Sequence, residues 1–119
     1  MTYGPDFIGL QTEDVEGLAR FYESVLGLER APAGPPGAVV FDTRPIPFAI
    51  RTPLVDLSST SQPGAGISLW LRCDDASALH DELKGRGVEI HTQPAPGPFG
   101  MHFSFKDPVG YLITVHDKP

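Results

Sequence analysis

Pro98-Phe99-Gly100-Met101-His102-Phe103-Ser104-Phe105-Lys106-Asp107-Pro108-Val109-Gly110-Tyr111-Leu112-Ile113-Thr114-Val115-His116 is two alternating runs on either side of a four-residue turn. Pro108 stands second in that turn, where its fixed φ is wanted, and Gly110 stands last, so the stretch predicts a β-hairpin. Side chains alternate across a strand. One face therefore carries Phe103, Phe105, Ile113 and Val115, and the other carries His102, Ser104, Thr114 and His116. An apolar face of this kind packs against helices, while its polar counterpart is turned to solvent or to a ligand. Function is expected on the polar face.

Upstream of the hairpin, Ile67 to Arg72 alternates as a strand, Asp74 is placed to cap a helix, and Ala76, Leu79, His80 and Leu83 recur at helical spacing as far as Gly85-Arg86-Gly87. A short strand over Val88–His91 and a loop over Pro94–Gly100 lead into the hairpin. The first half has the same order. Phe7 to Gln11 reads as a strand, and Thr12-Glu13-Asp14 supplies an N-cap. Val15, Leu18, Ala19, Tyr22, Val25 and Leu26 pattern a helix that Gly27 ends. Leu28-Glu29 resumes before a Pro/Gly loop, and Ala38–Asp42 and Pro47–Thr52 follow as strands. Asp14 and Gly27 recur as Asp74 and Gly87 sixty positions later. The expected fold is thus α+β, a βαβββ module built twice, with helices over about 15–27 and 75–85. The modules, about 1–60 and 61–119, combine within a single domain into one curved eight-stranded mixed sheet that has a central trough and its helices outside. Pro53–Gly66 is a loop between them.

Composition narrows the function classes. With 119 residues the chain can bury a core without staples, and the lone Cys73 excludes an internal disulfide and any cysteine-based zinc motif. Fifteen acids against nine bases argue against nucleic acid and favour a neutral or cationic small molecule. The opening residues lack a basic, apolar leader pattern and no run is long enough to span a membrane, so a soluble cytoplasmic protein is expected. No Ser-His-Asp spacing, phosphate-binding glycine loop or CxxC motif occurs.

Phe21-Tyr22-Glu23-Ser24-Val25-Leu26-Gly27-Leu28 and Phe105-Lys106-Asp107-Pro108-Val109-Gly110-Tyr111 resemble two signatures of the vicinal oxygen chelate superfamily, which includes glyoxalase I, extradiol dioxygenases and fosfomycin- and bleomycin-resistance proteins. The resemblance spans nearly the whole chain and implies paired βαβββ modules and a homodimer whose two-fold axis lends each trough the other chain's loops. Activities in this superfamily run from metal-dependent enzymes to drug-binding proteins. Its metal-ligand positions fall here on Phe7, Ser68, Thr114 and a residue near Ala49 or Arg51. Phenyl and guanidinium groups do not donate and neutral hydroxyls are weak ligands, so the resemblance implies a member without the metal and without a cofactor.

The ligand-binding residues expected on this basis are Phe7, Phe41, Arg51, Ser68, Trp70, Arg72, Phe99, Met101, His102, Ser104, Thr114 and His116. Trp70 is either a flat wall for an aromatic ligand or a core filler between modules, and the polar Ser68 and Arg72 on its face favour the wall. Arg51 and Arg72 are pocket cations or dimer salt bridges, with surface pairing the default expectation. Phe99 and Met101 form a lid or rim. His80 and His91 are expected at the surface, and Cys73 is expected as a small buried hydrophobe. The leading function is metal-free binding of an aromatic or cationic natural product, as in the sequestration of an antibiotic. The alternatives are a glyoxalase- or dioxygenase-type enzyme with a rearranged metal site on His102 and His116, and a metal-free isomerase or lyase using His as base.

Overall fold

Asp14 begins the first helix through its side chain, which accepts the Gly17 N–H at 3.0 Å and so satisfies a donor that a helix start leaves unpaired. In the computed structural model, which describes residues 1–119, this helix, α1 (Val15–Ser24), follows strand β1 (Ile8–Gln11) and precedes β2 (Ala38–Phe41) and β3 (Phe48–Arg51). It is shorter than its pattern. Val25 N–H closes the last turn on the Phe21 carbonyl, Gly27 reverses the chain at φ 76°, and Leu28 N–H reaches back to Tyr22. β3 pairs in parallel with β1 and antiparallel with β2, giving a three-stranded sheet. The strand expected at Leu28-Glu29 is reduced to one bridge, Arg30 to Phe41, because the Pro/Gly segment from Pro32 onward stops the ladder. Arg30 fastens that point to α1 through ion pairs with Glu16 at 2.7 Å and Glu23 at 2.9 Å. Leu18, Ala19 and Tyr22 form the buried stripe of α1, and Tyr22 meets the Phe48 ring at 5.0 Å.

These elements make up one compact unit, Met1–Thr60, and a second unit covers Ser61–Pro119. The second begins with β4 (Leu69–Arg72) and α2 (Ala76–Gly85). Then come β5 (Glu89–Ile90), β6 (Ala95–Gly97), β7 (Gly100–Lys106) and β8 (Leu112–His116). Its sheet has the order β4-β8-β7-β5, with β6 paired to β7. The α+β class and the repeated strand-helix-strands module are therefore as expected, with hydrogen-bonded ladders running within each unit.

Four readings change. Asp75, not Asp74, caps α2 by accepting the Ala78 N–H. Cys73 N–H bonds the His116 carbonyl at 2.8 Å, which prolongs the β4–β8 pairing and delays the helix by a residue. Pro94–Gly100 is no mere loop, because Ala95–Gly97 pairs with Gly100–His102 around a Pro98-Phe99 tip. His80 is buried at 7% exposure rather than on the surface, since it completes the Ala76–His80–Leu83 stripe and stands edge-on to Phe103 at 5.3 Å. Cys73 is half-buried. The end of α2 is a Schellman motif, with Val88 N–H on Leu83, Gly87 N–H on Lys84, and Gly87 at φ 81°.

The hairpin keeps its expected register. His102 faces His116, Phe103 faces Val115, Ser104 faces Thr114 and Phe105 faces Ile113. One oxygen of buried Asp107 accepts the N–H groups of Val109, Gly110 and Tyr111, each at 3.0 Å, which fixes the turn. Phe103, Phe105, Ile113 and Val115 are all essentially inaccessible. No helix is long and apolar enough to cross a membrane.

Candidate ligand-binding face

β8 lies between β7 and β4, so its polar side chains sit in cross-strand rows. Arg72, His116 and His102 form one row, and Trp70, Thr114 and Ser104 form the next. On this face the rings gather. Trp70 stacks on His102 with centroids 5.9 Å apart and planes 29° apart, and lies 6.1 Å from His116 and 5.6 Å from Phe99. Phe99 in turn meets His116 edge-on at 5.8 Å. Trp70 is 43% exposed and Phe99 is 50% exposed, so the cluster offers ring surface to solvent rather than filling a core. Trp70 is accordingly not a core filler within its own unit.

Phe99 reaches the cluster because its turn is tied down. Lys118 N–H bonds the Phe99 carbonyl at 3.1 Å and Asp117 N–H bonds the Met101 carbonyl at 3.2 Å. The Asp117 carboxylate accepts Met101 N–H at 2.9 Å on one oxygen and Ala76 N–H at 3.0 Å on the other. This residue therefore joins the start of β7 to the start of α2. Lys118 Nζ stands 6.0 Å from the Phe99 ring centroid, within cation–π range. His116 Nδ1 is buried and has no hydrogen-bond partner.

The remaining expected residues divide. Ser104 faces the right way but is buried, its hydroxyl 2.8 Å from the Thr92 hydroxyl and its N–H donating to the same oxygen, so it is a fastener of the sheet. Thr114 is half-buried between the rows, Arg72 is exposed, and Ser68 is exposed just ahead of β4. Met101 alternates with His102 and shares the parity of Phe103, so it belongs to the helix-facing side and not to the rim. Phe41 is fully buried against Phe48 and is core, not site. Phe7 and Arg51 lie in the first unit, where both flank Gly9. Phe7 is half-exposed, and Arg51 Nε donates to the Thr52 carbonyl at 3.1 Å. Asp117, Lys118 and Gly97 were not expected. Alternation from His116 puts Lys118 on the polar face, a signal the sequence did contain.

The chain from residue 4 to residue 115 matches the family model of the glyoxalase/bleomycin resistance protein/dioxygenase superfamily. The protein belongs to this superfamily. Among solved structures, a glyoxalase/bleomycin resistance protein from Streptomyces sp. CB03234 is similar at 26% identity and a TM-score of 0.70, with 96% of this chain and 100% of that chain covered. TnmS3, an antibiotic binding protein from the same Streptomyces, aligns at 24% identity and a TM-score of 0.74, over 100% and 99% of the two chains. Lactoylglutathione lyase from Agrobacterium tumefaciens aligns at 16% identity and a TM-score of 0.69, over 98% and 94%. No match is found among curated protein sequences.

Register relates the position that the resemblance implied near Ala49 or Arg51 to its counterpart in the second unit. Trp70 pairs with Thr114 as Gly9 pairs with Ala49, and Gly9 to Trp70 is the same 61-residue step as Asp14 to Asp75, the two helix caps. Thr114 thus corresponds to Ala49. Phe7, Ala49, Ser68 and Thr114 offer two neutral hydroxyls and no imidazole, carboxylate or thiolate, and nowhere do three or more His, Cys, Asp or Glu side chains converge on a point. Neither unit's pair, Phe7 with Ala49 or Ser68 with Thr114, supplies the imidazole and carboxylate donors that a divalent ion takes.

Proposed function

We propose that the chain is a binding protein that holds an aromatic natural product, such as an antibiotic, without chemical change and without a metal. The observation that carries this reading is the solvent-open cluster of Trp70, Phe99, His102 and His116 on the polar face of β4, β8 and β7. Rings at stacking distance with hydrogen-bonding nitrogens among them suit a planar ligand, for which area and orientation matter more than reactivity. The donor set at the superfamily's metal positions supports binding over metal-dependent catalysis. So does the fold shared with an antibiotic binding protein. In this reading the protein is a cytoplasmic homodimer whose two modules form a single domain.

Titration of the purified protein with polycyclic aromatic antibiotics tests the proposal, with the emission of Trp70, the only tryptophan, as readout. Binding is expected to perturb that emission and to be unaffected by a chelator. Trp70→Ala should weaken affinity by more than about tenfold, since both stacking and buried area are lost. If no aromatic compound perturbs the emission, or if stoichiometric metal is found held by His102 and His116, a metalloenzyme reading replaces this one.

A further inference from the structure

The formal net charge of −6 points to a cationic ligand, but two basic side chains outside the ion pairs of the chain stand beside the rings. Arg72 lies across from His116 and His102 in one row, and Lys118 follows two residues after His116 with its ammonium beside Phe99. The ion pairs of the chain engage Arg30, Arg44, His80, Arg86 and Lys106, which leaves Arg72 and Lys118 outside them. Two acids of this neighbourhood, Asp117 and Glu89, already have partners. Asp117 spends its two oxygens on backbone N–H groups, and Glu89 sits opposite Lys106 at 3.9 Å. His116, across from Arg72, is half-buried, with Nδ1 itself turned away from solvent.

From this arrangement, and resting on the binding function above, we infer that the ligand is a planar aromatic carrying an acidic oxygen, a carboxylate or phenolate, that Arg72 and Lys118 receive while Trp70 and Phe99 take the ring. A cationic ligand would meet two unpaired positive charges. The overall negative charge acts at long range, where salt screens it, and the local donors decide what stays bound.

Three probes of one shape separate the possibilities: 2-naphthoate, 2-naphthamide and 2-naphthylmethylammonium. Calorimetry gives their affinities, and the single Trp70 indole N–H signal in a proton–nitrogen spectrum reports where they bind. Naphthoate should bind about tenfold tighter than the amide, the worth of one charge-assisted hydrogen bond. The ammonium should bind weakest. Arg72→Gln combined with Lys118→Gln should bring naphthoate down to the amide's affinity, with both probes still shifting the Trp70 signal. Equal or tighter binding of the ammonium overturns the inference and leaves the binding function standing. So does a naphthoate preference that survives the double substitution. If none of the three probes shifts the Trp70 signal at millimolar concentration, the inference and the binding function fall together.

Discussion

Gly97 lies directly beneath the imidazole of His102: a Cβ at residue 97 would stand 2.9 Å from His102 Cε1 and 3.0 Å from its Nδ1. Those separations are closer than real carbon contacts, and Gly97 does not have a positive φ, so the constraint comes from the ring and not from the backbone. His102 stacks on Trp70. Gly97→Ala should therefore tilt the imidazole off the indole and forfeit a ring contact worth about 0.5–1.5 kcal/mol. The measurement is Trp70 emission in the unliganded protein, which should shift in Gly97→Ala. An unchanged spectrum with unchanged stability would mean that His102 has another place to go.

Asp117 holds two backbone donors that belong to different elements, Met101 at the start of β7 and Ala76 at the start of α2. Hydrogen bonds to a charged group are worth about 1.5–3 kcal/mol each, and they are only partly recovered by water when removed. Asp117→Ala should lower the unfolding free energy by about 2–4 kcal/mol in urea titration, and Asp117→Asn, which keeps one acceptor, by about half as much. The Ala variant should also loosen the Phe99 turn, which is visible as a weaker response of Trp70 to aromatic ligands. Equal losses in the two variants would show that the bonds do not act separately.

Burial pushes the Cys73 thiol above its ordinary value of 9.0, and the neighbouring Asp117 carboxylate adds to the effect. Folding therefore favours the neutral thiol. A raised pKa contributes stability below the unfolded value, and that contribution is lost as pH rises through the folded value, so the alkaline side of the stability profile should steepen above about pH 9. Iodoacetamide should alkylate folded Cys73 slowly at pH 8, with the rate climbing only well above the midpoint of a free thiol. Cys73→Ser should remove the alkaline slope. Rapid alkylation at neutral pH would contradict the buried environment.

The hairpin was legible because two signals agree there: a turn with Pro and Gly at the positions that need them, and alternation long enough to fix a register. The ring face follows from it, since His102 and His116 inherit their side of the sheet from that register. Other residues lacked such support. Ala-Val-Val-Phe in β2 is apolar throughout, so nothing local tells which face Phe41 takes, and packing against Phe48 decides. Ala95-Pro96-Gly97 reads as a loop because Pro and Gly are poor strand formers, yet an edge segment needs few donors and pairs with β7. Met101 was misplaced for the same reason, since the strand starts earlier than its loop-like context suggests. Asp74 and Asp75 are equivalent caps until the bond of Cys73 to His116 delays the helix. His80 fell on the apolar stripe, and its polarity was weighed above its position.

The 61-residue step that matches Gly9 with Trp70 also matches Gln11 with Arg72, and the paired strands match Ala49 with Thr114 and Arg51 with His116. A hydrogen atom stands in one copy where an indole stands in the other. The repeat thus keeps its scaffold in both copies while the side chains it carries diverge: glycine, glutamine, alanine and arginine stand in the first where tryptophan, arginine, threonine and histidine stand in the second.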